Sequence, residues 1–480
     1  MKTDLNPKKL SFFGSAKHHT HGSGRIIGLY TVFLTVAFFI ASACAAWYTS
    51  DEAVIDGLVK ILTSPSKLVT DYFALGGLSA AFLNTALCGT LANIVMCLSI
   101  KRTTATTFAA YMLVVAHGFY GLNCLNMITP IFGVLVYCAV TRRSLAENVH
   151  IALFSTALGP FISDFVFRYA NDSFDPANPK ASILGIALAI FFGIAAGFVV
   201  PALIPETTKM HRGFNMYKAG LAIGIMGIFV YSFMYRTLGI DAPEVIEITN
   251  DAYYALPYGY RGFINTFFII LFVVTLALGF FLNKRSFHGY RHLIRSTGYG
   301  VDFVDKFGMP LCLINFAVYG LLAITYLNII FILPEIFPFL PQGVGFTGAT
   351  VGVVFAALTF SADGQQPRTI APIVLGYVLL FVVVCGLCAI ISIDIPWTLS
   401  TQGYINGLAF ATGLCAFSGK YGWKVGVLAG FLSAVICTST SAMHGGFVLY
   451  NGGFNAGLTA LVLLPILDFY KVKTKFEDDK

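Results

Sequence analysis

The sequence predicts an all-α polytopic membrane protein with about fourteen transmembrane helices, built as two inverted-topology repeats of seven. Three observations predict it: a composition poor in charge, long stretches with no charge at all, and an internal repeat. Of 480 residues, 57% are hydrophobic and only 11% are charged. Soluble domains carry about 25% charged residues, so an ordinary soluble enzyme is excluded. A disordered chain, a coiled coil and a disulfide scaffold are excluded with it.

No Asp, Glu, Lys or Arg occurs in 26–50, 72–100, 103–141, 148–163, 181–205, 219–235, 262–283, 307–334, 336–362, 369–393, 395–419 or 425–467. A spanning helix needs about 20 apolar residues. Ten stretches accommodate one span each, and 103–141 and 425–467 accommodate two. Strand spans would need alternating polarity, which is absent. The first span is too long for a signal-peptide core and is expected to be retained.

Lys and Arg orient the chain. With the N-terminus inside and fourteen crossings, 24 of the 30 basic residues fall on the cytoplasmic side. Only Lys60, Lys67, Arg168, Lys180, Arg236 and Arg261 fall outside. The net charge of +7 is therefore chiefly a topology signal, and no nucleic-acid partner is implied. Both ends are expected in the cytoplasm, in a bacterial cell membrane. The expected organisation is a basic tail over 1–24, a first membrane repeat over 25–238, an exterior acidic linker over 239–257, a second repeat over 258–470 and a tail over 471–480. The histidines of the first tail (His18, His19, His21) read as part of a solvated segment.

Residues 193–224 align without gaps on 426–457, with twelve identities in 32 positions. They include Met210/Met443, His211/His444, Gly213/Gly446, Tyr217/Tyr450 and Gly220/Gly453. A second block places Asp71 on Asp302, Asn84 on Asn315 and Gly89 on Gly320. A third places Gly121 and Pro130 near Gly364 and Pro372. Seven spans per half is an odd number, so equivalent elements lie upside down relative to each other. Many transporters share that architecture and bind their solute where the halves meet.

Three segments carry a resemblance. They are Thr70-Asp71-Tyr72-Phe73 with Gly76-Gly77 and Asn84; Phe360-Ser361-Ala362-Asp363-Gly364 with Pro367 and Pro372; and His444-Gly445-Gly446 with Leu449-Tyr450-Asn451-Gly453-Phe454. Together they resemble a bacterial family of polytopic membrane proteins known only as a domain of unknown function. The resemblance covers nearly the whole chain after the first tail and implies no substrate.

The strongest candidate site is the polar, glycine-rich segment Cys437–Gly457, with His444, Gly445, Gly446, Tyr450 and Asn451, and its mate around His211. Such backbone is either an interhelical turn or a break lining a cavity, because lipid cannot satisfy freed amides. Imidazole can donate, accept or carry a proton, and helix N-termini starting here would offer free N–H groups to an anion. A loop histidine contributes little to stability, so His444→Ala is expected to abolish activity and spare folding. Asn84 and Asn315, buried in spans, either bond between helices or flank a central path. Asp71, Asp302 and Asp164 are weaker candidates for ion or proton coupling. Asp164 also stands one turn from Arg168, and pairing with it is the favoured reading. Asp363 and Arg368 read either as a pair or as plain loop charges. The glycine pairs 193/197, 220/224, 426/430 and 453/457 have the spacing that lets helices touch.

No hydrolase, kinase, nucleotide or metal motif is present, so no enzyme activity, metal or cofactor is expected. Cys385 and Cys388 match a CxxC pattern inside an apolar span and read, like the other cysteines, as packing residues. The expected function is a secondary transporter or channel-like permease for a small polar or anionic solute. The alternatives are a lipid flippase or membrane-embedded transferase, and a non-catalytic scaffold. Membrane lipids and the solute are the expected partners, with a homo-oligomer as a further option.

Overall fold

The computed structural model describes residues 20–50, 53–68, 70–98, 103–169, 175, 178–240 and 260–476. Most of the first tail and the acidic linker, with Asp241, Glu244, Glu247 and Asp251, lie outside the described residues, as do Lys101 and Arg102.

Twenty α-helices make up these residues, ten before the linker and ten after it. The first ten are α1 (Thr20–Thr49), α2 (Val54–Thr63), α3 (Tyr72–Gly76), α4 (Leu78–Cys97), α5 (Ala105–His117), α6 (Ile128–Thr141), α7 (Leu145–Ser155), α8 (Gly159–Asp164), α9 (Ile183–Met210) and α10 (Lys218–Tyr231). The second ten are α11 (Arg261–Leu282), α12 (Tyr290–Arg295), α13 (Phe303–Phe307), α14 (Met309–Ile336), α15 (Gly348–Ala357), α16 (Pro367–Ile391), α17 (Gln402–Ala411), α18 (Cys415–Tyr421), α19 (Trp423–Ile436) and α20 (Asn451–Phe469). Each helix of the first set has a counterpart ten places later.

Local chemistry explains the correspondence. Asp71 and Asp302 cap α3 and α13, accepting from the backbone N–H of Phe73 (2.9 Å) and Asp305 (3.0 Å). Gly77 and Gly308, at φ +88° and +83°, then turn the chain into α4 and α14. Such φ values favour glycine, which has no Cβ to clash. Thr104 caps α5 and Thr347 caps α15; in each case the hydroxyl accepts from the backbone N–H three residues on. A side-chain oxygen there satisfies one of the orphan donors of a helix N-terminus.

Packing repeats as well. The most extensive helix pairs are α1 on α4 and α6 on α9 in the first half, α11 on α14 and α16 on α19 in the second. Glycines let two of these pairs touch. A Cβ on Gly197 would lie 2.1 Å from the Pro130 oxygen, and one on Gly430 would lie 2.2 Å from the Ile373 oxygen. The halves join through α5 against α15 and α10 against α20. Leu375, Leu379, Val382 and Val383 on α16 and Ile269, Ile270, Val273 and Val274 on α11 face outward. Exposed apolar faces of that extent belong against lipid chains rather than water.

Nine helices among the described residues are long and apolar enough to cross a membrane, so the chain reads as a multi-pass membrane protein. The other five expected spans correspond to α5, α6, α15, α19 and the interrupted α17–α18. The helix α5 has 13 residues, α6 and α19 have 14, and α15 has 10. At 1.5 Å per residue these reach about 15–21 Å, short of the roughly 30 Å apolar layer. A charge-free stretch measures apolar chain, and irregular backbone consumes part of it. The breaks at 118–127, 358–362 and 437–450 do so here.

Candidate functional site

Four helices stop or start inside the packed body, and their ends define the centre. The C-termini of α5 and α15 leave carbonyls with no partner in their own helix. Asn84, from α4, donates to the oxygens of Gly118 (2.7 Å) and Leu122 (2.9 Å). Asn315, from α14, donates to those of Ser361 and Gln365, both at 2.8 Å. Both asparagines are fully buried. Their amide protons are thus committed to the irregular segments that follow the two broken helices.

The N-termini of α10 and α20 meet at the junction of the halves. A Cβ on Gly220 would lie 2.5 Å from the carbonyl carbon of Gly453, its repeat mate. Gly224 abuts Phe454 and Gly457 abuts Leu221, so each contact recurs with the partners exchanged. The residues just before each helix, 214–217 and 447–450, are buried. Asn215 stiffens the first, donating to the Gly453 oxygen (3.0 Å) and accepting from the Tyr217 N–H (3.0 Å).

The last residue of each segment is a tyrosine. Tyr217 packs on Phe360 and Phe410, with centroids at 4.8 and 4.9 Å. Tyr450 packs on His117 and Phe154, at 5.3 and 6.3 Å. The Tyr217 hydroxyl donates to the Ala356 oxygen (2.5 Å). The Tyr450 hydroxyl, equally buried, has no partner among the described residues. The His117 ring nitrogens stand 2.7 Å from the Leu113 oxygen and 3.1 Å from the Leu449 oxygen, one in each half.

A cavity of about 20 Å³ lies between Tyr217 and Tyr450. It holds about one water. Thr106, Phe360, Lys218 and Asp363 also line it. Lys218 is the first residue of α10, half-buried, and forms no ion pair among the described residues. Its ammonium therefore adds to the positive end of the helix dipole. Asp363 does not pair with Arg368, whose guanidinium turns to the Arg295 oxygen (3.3 Å) and lies over the Phe476 ring. Burial, and then the Asp363 carboxyl, pushes Asp302 well above the usual carboxylate range.

Of the residues singled out in the sequence, Tyr450 lines this cavity. Asn451 opens α20 and accepts from His444 Nε2 at 3.0 Å. His444 Nδ1 accepts from the Val448 N–H (3.4 Å), which fixes a neutral ring. His444 is fully buried beside α10, near Gly227, so it does not have the small weight in stability that the sequence reading gave a loop histidine. Gly445 and Gly446, at φ +64° and +77°, form its turn, and a Cβ on Gly445 would meet the Tyr231 ring. His211 lies at the end of α9, buried, with neither ring nitrogen partnered among the described residues. Next to it, Arg212 pairs with Asp468 (2.7 Å) at the far end of α20. The two histidines thus flank opposite ends of the α10–α20 pair. Asp71 caps α3 and also accepts from the Gly348 N–H of α15 (2.8 Å). Asp164 pairs with Arg168 (2.6 Å) and accepts from the Tyr235 hydroxyl.

Lys218 was not a candidate from sequence, where it counted toward topology, and Asp363 was read there only as a partner of Arg368 or a loop charge. The repeat held a signal. Lys218 sits where its mate is Asn451, so a charge appears in one copy of a duplicated helix start and not in the other.

A family model described as a protein of unknown function (DUF1576) matches residues 50–236 and 282–469. No curated protein and no solved structure matches the chain.

Proposed function

The chain belongs to the DUF1576 family, and from its central junction we propose a secondary transporter or channel-like permease for a small polar or anionic solute. One observation carries the proposal. The N-termini of α10 and α20 meet at a closed cavity lined by Lys218, Asp363 and the unpartnered hydroxyl of Tyr450. Two helix N-termini and an ammonium form a positive site of the kind that binds anions. Discontinuous helices meeting between repeats are the usual carrier of such sites.

The exchanged contacts support a pseudo-two-fold axis near Gly220 and Gly453, since a two-fold interface pairs each residue with the other's partner. We read that axis as lying in the membrane plane, relating two inverted repeats of seven segments. Both chain ends are then cytoplasmic, in a bacterial cell membrane. The cavity is closed on this reading, and a solute enters when the tyrosines separate with α10 and α20. His211 and His444 act at the two ends of that pair, where its movement is largest.

A second reading has one observation in its favour. An apolar pocket of about 300 Å³ opens sideways between α14, α15, α16 and α17, beside the unpartnered hydroxyl of Tyr319. A lipid-handling protein would use such a pocket. No Lys or Arg lines it, however, and a headgroup would find no charge there. The close packing around the tyrosines is what a scaffold would need, but a scaffold gives Lys218 no role. Purified protein in liposomes, offered labelled small anions and zwitterions, tests the transport reading. Uptake of at least one above protein-free vesicles is expected. A folded protein that moves none contradicts it.

A further inference from the structure

We propose that a cleft at one edge of the second half holds the headgroup of an anionic phospholipid. The cleft has a volume of about 840 Å³, and Arg291, Arg295 and Arg368 line it with Phe287, Ile294 and Phe476. Arg291 and Arg295 are one turn apart on α12, and Arg368 is the second residue of α16. None of the three is in an ion pair among the described residues. The Arg368 guanidinium lies 5.6 Å from the Phe476 ring centroid and donates to the Arg295 backbone oxygen. Three guanidiniums lining one cleft, with no carboxylate among the described residues there, repel each other, and an anion between them removes that repulsion. Guanidinium forks match phosphate oxygens in geometry as well as charge.

Position selects a lipid over a soluble anion. The cleft sits where α11 ends at Leu282 and α16 begins at Pro367, so two apolar helices end at its level. Its apolar rim is continuous with exposed Phe281, Leu282 and Phe287. An acyl chain can follow that surface down α11 while the phosphate stays among the arginines. The counterpart helix α2 carries Asp56 and Lys60 and no arginine, so the cluster is peculiar to the second half.

Native mass spectrometry of the full-length protein, released from vesicles of equal phosphatidylglycerol and phosphatidylcholine, tests this. Wild type should retain phosphatidylglycerol over phosphatidylcholine by about tenfold or more, given roughly 1 kcal/mol per basic residue near a lipid surface. The R291Q/R295Q/R368Q variant should retain the two equally. The control R142Q/R143Q, which removes two arginines elsewhere, should keep the wild-type preference. The all-lysine variant of the cleft should keep part of it. Wild type without a preference overturns the proposal without recourse to any variant. It is overturned too by a glutamine variant that keeps the preference, by a control that loses it, or by inorganic phosphate at millimolar concentration displacing the lipid, which would mark a site for the free anion.

Discussion

The molecule breaks its helices in two ways, and the two kinds of break differ in what they leave unsatisfied. At the C-termini of α5 and α15, Asn84 and Asn315 each take up two freed carbonyls. At the N-termini of α10 and α20, Lys218 shares a cavity with the Asp363 carboxylate, and the Tyr450 hydroxyl beside them has no partner among the described residues. The α5 break is closed through Asn84, the α15 break leaves Asn315 Oδ1 and the Ser361 hydroxyl without a partner among the described residues, and the second pair of breaks opens on a cavity. A polar residue repeated in both halves is therefore a weak sign of a site, since duplication copies structural bonds as faithfully as functional ones. An unspent polar group at a repeated position says more.

The largest expected effect falls on the breaks that the asparagines bond. Asn84→Leu keeps the volume and orphans two buried carbonyls, at about 1–3 kcal/mol each. Thermal unfolding in detergent should register the loss, and Asn315→Leu should match it. A variant as stable as wild type would mean that those carbonyls find other partners. Next comes Gly220→Ala, which drives a Cβ into Gly453. Overpacking of this kind costs about 1–3 kcal/mol, and Gly453→Ala, whose Cβ would meet Tyr217 at 3.0 Å and Gly220 at 3.2 Å, should cost less. A larger loss for Gly453→Ala than for Gly220→Ala would contradict this packing.

His444→Ala comes third. Its ring is buried and bonded to Asn451 and Val448, so truncation should lower stability by about 1–2 kcal/mol. An unchanged melting temperature would restore the reading of His444 as a loop residue with a purely functional role.

The smallest effect concerns Asp302. Its carboxyl titrates above the usual range because of burial and the Asp363 charge. It therefore binds its proton more tightly in the folded chain. Its contribution is complete below about pH 4, the ordinary carboxylate value, and is lost as pH rises through the raised value. Asp302→Asn retains a capping side chain and removes the titration. The variant should gain on wild type as pH rises, and a difference constant with pH would contradict the assignment.

Particular residues show how much the sequence could tell. The pairing of Asn84 with Asn315 was legible because it survives as an identity between the halves. What they bond was not, since Gly118, Leu122, Ser361 and Gln365 contribute backbone atoms that no side-chain pattern records. Stretch 103–141 read as two full spans because Gly118–Met127 is uncharged, although its chain is turned and not helical. Lys218 was legible only as a cytoplasmic charge. Its place at a helix start beside Tyr217 depends on α10 beginning inside the body, which a count of apolar residues does not reveal.

Uptake by Lys218→Gln in liposomes tests the central junction most directly, read beside wild type and Lys218→Arg at matched melting temperatures. With the ammonium as the cationic contact for the solute, the glutamine variant should lose at least tenfold in rate, equivalent to about 1.4 kcal/mol, and the arginine variant should recover part of it. Equal uptake by wild type and Lys218→Gln would contradict a solute site at this junction.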